Sequence, residues 1–229
     1  MSAPTPADGT SRGRKLKPER RFQILIADDH AIVRRGLQLI ISDAFPEAVF
    51  GEAANSTEAL ALVEEQEWDV ILLDISMPGR SGLEVLRQLK RERPGVPVLV
   101  LSVHPEDQYG VHVLSAGAAG FLNKESASEL IVAALRKVLA GGKHLSESLA
   151  GRLADAVSSG ANTPLERLSD RELEVLRLIG SGKSVKGISS ELNLSAKTVS
   201  TYRVRLLRKL KLDNSAELIR YALERRLVH

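Results

Sequence analysis

Cysteine is absent from the 229 residues, which excludes disulfides, thiolate metal sites and cysteine nucleophiles. No apolar run approaches the roughly 18 residues of a membrane span. The N-terminal stretch MSAPTPADGTSRGRKLKPERR has no apolar centre and does not read as a secretory signal. A soluble cytoplasmic protein without a membrane partner is the expectation. The five histidines, His30, His104, His112, His144 and His229, show no ligand spacing, so a zinc site is not expected. Gly180-Ser181-Gly182-Lys183-Ser184 ends like a phosphate-binding loop. The first glycine of that motif would fall at Arg177, and a helical pattern precedes it where a strand is required. No internal repeat or long low-complexity segment occurs.

Hydrophobic residues make up 43% of the chain, enough for a sizeable core and one or two domains. The net charge of +3 is unevenly spread. Residues 1–21 carry six Lys/Arg against two Asp/Glu, residues 22–162 carry 12 against 19, and residues 163–229 carry 14 against eight. An acidic middle joined to a basic end points to two domains with different partners, the basic one a polyanion.

From Phe22 to about Ala140 apolar runs alternate with amphipathic stretches. Strands read at 22–27, 48–53, 69–74, 97–102 and 119–123, and helices at about 30–43, 56–66, 82–92, 106–116 and 126–140. Five βα units predict a five-stranded parallel, doubly wound sheet, and strands rich in Val, Ile and Leu fit burial on both faces. Residues 146–157 can add a helix before the linker-like Ser158-Ser159-Gly160-Ala161-Asn162-Thr163-Pro164. Beyond Leu165 only helices read, with Ser169 and Glu172 forming a capping box and Ser195 and Asn214 capping later helices.

Ligands of such sheets gather at the carboxyl ends of the strands. Asp28-Asp29, Asp74, Ser102 and Lys124 all fall there. Each alone has an ordinary reading: a helix cap, a turn opener before Pro78, a strand-end hydroxyl, a surface lysine. Together they form an acidic cluster that needs a cation or protons to be tolerated. Carboxylate oxygens suit Mg²⁺, and a carboxylate beside Mg²⁺ can attack a phosphoryl group.

Residues 22–140 resemble the receiver domain of a two-component response regulator. The matching residues are Asp28 and Asp29, Asp74-Ile75-Ser76-Met77-Pro78, Gly82, Ser102 and Phe121-Leu122-Asn123-Lys124. The resemblance implies a flavodoxin-like fold and phosphorylation of Asp74 by a sensor histidine kinase. It implies Mg²⁺ bound directly by Asp29, Asp74 and the Ser76 carbonyl, with Asp28 helping through water. Ser102 would bond the phosphoryl oxygens, Lys124 would pair with them, and Phe121 would be the switch aromatic. Glu125 follows the lysine where the family often has Pro, so no cis-proline turn is expected.

Residues 165–229 resemble the LuxR-type helix-turn-helix of NarL/FixJ regulators. The match runs Leu168-Ser169-Asp170-Arg171-Glu172-Leu173-Glu174-Val175-Leu176, then Gly182-Lys183-Ser184, Lys186, Ile188, Leu192, Leu194-Ser195, Lys197-Thr198-Val199 and Lys209-Leu210. Val185, Gly187 and Tyr202 depart from the family pattern. On the helix predicted over 196–211, Val199, Tyr202, Leu206 and Leu210 share an inward face. Ser200, Thr201 and Val204 are the base-edge candidates. Lys183, Lys186, Lys197, Arg203, Arg205 and Arg208 are the phosphate candidates, and Thr198 completes the DNA-binding set.

The combined expectation is a DNA-binding transcriptional response regulator divided into a disordered extension (1–21), a receiver (22–145), a partly helical linker (146–164) and the helix-turn-helix (165–229). The unphosphorylated receiver is expected to mask or misposition the helix at 196–211. Phosphorylation would release it and favour a homodimer on duplex DNA, with RNA polymerase a further candidate partner. Two rivals remain. A haloacid-dehalogenase-like phosphatase would need a second Asp where Ser76 stands. A constitutive DNA binder would use its receiver only as an interaction module.

Overall fold

A computed structural model describes residues 21–77, 80–103, 106–159, 164, 165, 167–225, 227 and 228. The expected disordered extension, except Arg21, and most of the glycine-containing linker lie outside the described residues.

The five apolar runs are strands β1 (Gln23–Ala27), β2 (Val49–Ala53), β3 (Val70–Asp74), β4 (Val98–Ser102) and β5 (Gly120–Asn123). All pair in parallel, in the order β2-β1-β3-β4-β5. They alternate with α1 (Ala31–Ala44), α2 (Ser56–Glu65), α3 (Gly82–Glu92), α4 (Glu106–Ser115) and α5 (Ala127–Leu139). Successive strand residues face opposite sides, so the sheet feeds two cores. Ile24, Ile26, Leu72 and Leu101 pack with Leu37, Ile41, Ile131 and Leu135 of α1 and α5. Leu25, Ile71, Leu73 and Val100 pack with Val63, Leu86 and Val113 of α2, α3 and α4. The chain reverses its winding between β1 and β3, which leaves a crevice at their carboxyl ends.

Beyond β5, His144 bridges to Gly120 and its N–H bonds Ala119 O at 2.9 Å. This leads into α6 (Glu147–Ser159), which lies on α4. Leu149, 1% exposed, sits over Gly110, where a Cβ would approach its methyls to 2.7 Å.

The C-terminal part is α7 (Asp170–Gly180), α8 (Val185–Glu191), α9 (Ala196–Leu210) and α10 (Ser215–Glu224). The capping box of Ser169 and Glu172 forms, and Ser195 and Asn214 cap α9 and α10. Ser184 also caps α8 by accepting from Gly187 N at 3.2 Å. This cap offsets part of the helix penalty that glycine brings at 187. The α8–α9 turn places Asn193 at φ 54°, a conformation asparagine tolerates better than most residues.

Candidate functional site

Asp74 is the last residue of β3, and Asp28 follows β1 directly, its N–H bonded to Ala53 O at 3.0 Å. Ser102 ends β4, and Lys124 follows β5 with its N–H on Ser102 O at 2.8 Å. Parallel register therefore delivers four polar side chains to one edge. Asp28, Asp74 and Ser102 are fully buried. Lys124 Nζ stands 2.7 Å from Asp28 Oδ2 and 2.7 Å from Asp74 Oδ2. Asp74 Oδ1 accepts from Ser76 N at 2.7 Å, so the turn after β3 is organised around this carboxylate. Ser76 itself is exposed.

Burial pushes the Asp74 carboxyl above its ordinary value, and hydrogen bonds from Lys124 and Ser76 offset only part of that. Burial would lower the Lys124 ammonium, but its bonds to Asp28 and Asp74 outweigh this and hold it above the usual lysine range. The site thus keeps its lysine charged and one carboxylate poorly solvated.

Donor atoms of Asp28, Asp29, His30 and Asp74 all lie within 4.8 Å of one another. The oxygen donors fit Mg²⁺. Asp28 Oδ2 is buried with the Lys124 ammonium 2.7 Å away and no further partner among the described residues, so it keeps lone-pair capacity that a cation can use. His30 is the member that spacing along the chain does not single out. Phe121 is 3% exposed and packs in the core on the α4 side, where it also borders a cleft of about 320 Å³ with Glu106, His144 and Leu145.

Gly82 opens α3 against this site. A Cβ there would meet Ile75 Cα at 2.3 Å and Ile75 O at 2.4 Å, rigid backbone of the Asp74 turn. Gly82→Ala is therefore expected to displace that turn and destabilise the protein by about 1–3 kcal/mol, read as a lower midpoint in chemical denaturation.

In the helical part, α9 turns Val199, Leu206 and Leu210 inward, with Tyr202 half-buried. Lys197, Thr201, Val204, Arg205 and Arg208 are exposed, and Ser200 and Arg203 are half-buried. Among the described residues four candidates have prior partners, Arg205 lying 5.9 Å over the Tyr202 ring. Lys183 pairs with Glu191, Thr198 shares a 2.7 Å bond with the cap Ser195, and the Thr201 hydroxyl donates to Lys197 O at 2.9 Å. The receiver does not cover the outward face of α9. It meets α7 instead: Arg171 Nε lies 3.2 Å from Glu84 Oε1 of α3, and Arg171 Nη1 donates to Glu174 at 2.8 Å. Arg177 stacks 5.6 Å from the Tyr109 ring centre of α4.

Glu172 of the capping box is 2% exposed and accepts from Lys209 Nζ at 2.6 Å, which ties α9 to α7. Burial raises its carboxyl, but bonds from Lys209 and Ser169 outweigh this and hold it below the ordinary 4.5. A depressed folded value means that the contribution is present above pH 4.5 and is lost as pH falls through the folded value. Glu172→Ala removes the cap partner and the ion pair to the partly exposed Lys209 and is expected to cost about 1–2 kcal/mol at pH 7. Urea titrations from pH 7 down to pH 3 should show the deficit shrinking toward the acid end.

Residues 24–136 match the response regulator receiver domain and residues 166–222 the bacterial regulatory proteins of the luxR family. The chain is 37% identical over 204 residues to the response regulator UvrY of Escherichia coli K12, covering 88% of this chain and 94% of that one. It is 37% identical over 199 residues to the response regulator GacA of Pseudomonas aeruginosa, covering 86% and 93%. RcsB from Salmonella enterica serovar Typhimurium, solved bound to the promoter rprA in the presence of the phosphomimetic BeF3⁻, is similar with a TM-score of 0.65 and 29% identity over 88% of this chain and 98% of that one. Among the described residues no helix is long and apolar enough to cross a membrane. With a carboxylate-lined sheet edge, a capped helix-turn-helix and relatives matching both parts, the chain belongs to the NarL/FixJ response regulators and is a DNA-binding transcriptional regulator.

Proposed function

We propose that Asp74 accepts a phosphoryl group from a sensor histidine kinase and that the receiver, residues 22–145, passes this event to a DNA-binding unit at 165–229 through the segment 146–164. The observation that carries the reading is the meeting of Asp28, Asp74 and Lys124 through two 2.7 Å contacts at the strand ends. In the transfer an Asp74 oxygen bonds phosphorus while the donor's P–N bond breaks. Asp29, Asp74 and the Ser76 carbonyl, with Asp28 helping through water, would hold Mg²⁺, whose charge would neutralise the phosphoryl oxygens. Lys124 exchanges its bond with Asp74 Oδ2 for one with the phosphoryl group, and Ser102 donates to a second oxygen. The shift of Ser102 opens space at β4 that the Phe121 ring can take up. The receiver promotes its own phosphoryl transfer and loss, with no separate substrate turned over.

The arriving group adds about −1.5 to −2 of charge beside a cleft of about 380 Å³ between the receiver and α7–α8. Asp29, Ser76, Glu174 and Glu191 already line it. Burial already holds the Glu174 carboxyl above its ordinary value. Added negative charge repels both glutamates and loosens the domain contact. The freed module would dimerise through the outer side of α10, where Leu223 is 50% exposed beside Ala216 and Ile219.

On duplex DNA the exposed N-terminal half of α9 enters the major groove. Lys186→Ala, Lys197→Ala or Arg208→Ala should each weaken binding on all sequences alike and lower the salt-dependence slope by about 1. Val204→Ala should change the preferred base and leave the slope unchanged. Footprints with a phosphodonor, across a salt series, test both. Donor-independent binding of equal strength would leave only the constitutive reading.

A further inference from the structure

Both peptide units that flank the Asp28 Cα are tethered. The Asp28 N–H donates to Ala53 O of β2 at 3.0 Å. The Asp28 carbonyl, which shares a peptide plane with the Asp29 N–H, accepts from Arg34 Nη1 at 2.8 Å. Arg34 lies in the opening turn of α1, and its side chain is 13% exposed. It is braced in turn: Nε donates to Glu52 Oε2 at 2.7 Å, and Gln38 Nε2 donates to Glu52 Oε1 at 2.9 Å. The bond from Arg34, then that from Gln38, holds the Glu52 carboxyl below its ordinary value, so it stays charged at neutral pH and balances the guanidinium. The helix bond of Arg34 is made by its main chain, to His30 O at 3.2 Å. Its side chain leaves the helix and ties the loop after β1 to β2.

We propose that Arg34, braced by Glu52, is a positioning residue for phosphoryl transfer. It fixes the peptide plane between Asp28 and Asp29, so that the two carboxylates are set for a cation before one arrives. This rests on the cation reading of the preceding section. Neighbouring carboxylates repel, and a free peptide plane lets them turn apart, so an ion would have to order them again on binding. Charge and geometry oppose each other at this residue. A guanidinium near the acidic pair repels a dication, so losing its charge alone tightens Mg²⁺ binding. Losing the tether weakens it. Partners that orient metal-binding side chains are worth about 10–100-fold in affinity. The field of Arg34, by contrast, is largely cancelled by Glu52 at 2.7 Å and screened by solvent and salt. Geometry is the larger effect, and the direction of the change identifies it.

The test titrates Mg²⁺ calorimetrically into the full chain as wild type, Arg34→Met, Arg34→Met/Glu52→Gln, Arg34→Lys and Asp29→Asn. Methionine keeps a packed apolar stem and drops the donor fork. The double variant loses one charge of each sign, so the net charge beside the site is that of the wild type. Expected is a loss of about 10-fold in Mg²⁺ affinity for both methionine variants. Arg34→Lys should recover part of it, because its ammonium can still donate to the Asp28 carbonyl. The His30 amide, which donates to Asp28 Oδ1 at 2.9 Å, should exchange its proton faster in both methionine variants. In the wild type, an observation that needs no variant, Mg²⁺ should slow that exchange by less than about 2-fold, since the loop is already ordered. Unchanged or tighter Mg²⁺ binding by Arg34→Met would overturn the positioning role, as would a lowered melting temperature with unaltered affinity. Strong ordering of the wild-type loop by the ion would overturn it too. Mg²⁺ binding indifferent to Asp29→Asn would instead remove the cation reading on which the proposal rests.

Discussion

Asp74→Asn protein given acetyl phosphate and Mg²⁺ is expected to acquire no hydroxylamine-labile adduct, and the donor-dependent gain in DNA binding should vanish with it. An amide oxygen cannot serve as the attacking carboxylate, and among the described residues Asp74 is the carboxylate that meets both the Lys124 ammonium and the Ser76 N–H. The same variant carries a stability signature. Burial raises the Asp74 carboxyl above its ordinary 3.8, so the folded protein binds that proton more tightly than the unfolded chain. Stability tied to this group is therefore highest at low pH and falls as pH rises from 3.8 through the folded value. At neutral pH the charged side chain is a net burden, next to Asp28 and out of water. Metal-free Asp74→Asn should melt higher than the wild type, by about 2–4 °C for a relief of about 1 kcal/mol. Mg²⁺ should narrow the gap, because an ion that binds only the folded carboxylate site stabilises the wild type by mass action. An adduct on the variant, mapped by mass spectrometry to another side chain, would move the acceptor. A lower melting temperature would show that the carboxylate is stabilising as it stands.

Glu84→Arg should raise DNA binding by the unphosphorylated protein about 10-fold, and adding Arg171→Glu should return it only part of the way to the wild-type level, because Glu174 then loses its own Arg171 bond. Arg171 is 14% exposed at its side chain and reaches Glu84 with two nitrogens, at 3.2 Å and 3.3 Å. A half-buried pair of this geometry exceeds an ordinary surface pair, and its loss is worth about 1.5–3 kcal/mol. About 1.4 kcal/mol taken from a docked arrangement multiplies the undocked population tenfold. Glu84 is the side to vary first, since it lies on α3 and takes no part in folding α7–α10. Reversal of both charges restores the attraction between positions 84 and 171, at the expense of the Arg171–Glu174 bond, so even partial recovery separates a specific contact from a general surface effect. Equal binding by Glu84→Arg and wild type, in the same footprint series, would mean that this contact does not restrain the DNA-binding unit.

The residue string by itself determined every element whose cause is local. The five apolar runs, four of which lead into Asp28, Asp74, Ser102 and Lys124, required a parallel sheet with its chemistry at one edge. Ser169, Ser195 and Asn214 marked helix starts because their side chains bond backbone two or three residues on. The inward face of α9 followed from helical spacing. Order along the chain also carried Asp28, Asp74, Ser102 and Lys124 to the same edge, because parallel strands with right-handed crossovers deliver all their carboxyl ends to one side. Tertiary structure decided what depends on which folded surfaces meet. Lys124 divides itself between two aspartates, the His30 ring turns onto its neighbours, Gly82 presses on the Ile75 backbone, and Lys183 is held by Glu191. Arg171 finds Glu84 across 87 positions, so the receiver faces α7 and leaves α9 open. Periodicity reports only on residues within a turn or two. Contacts between completed faces depend on the shape and charge of both, and neither exists until the chain has folded.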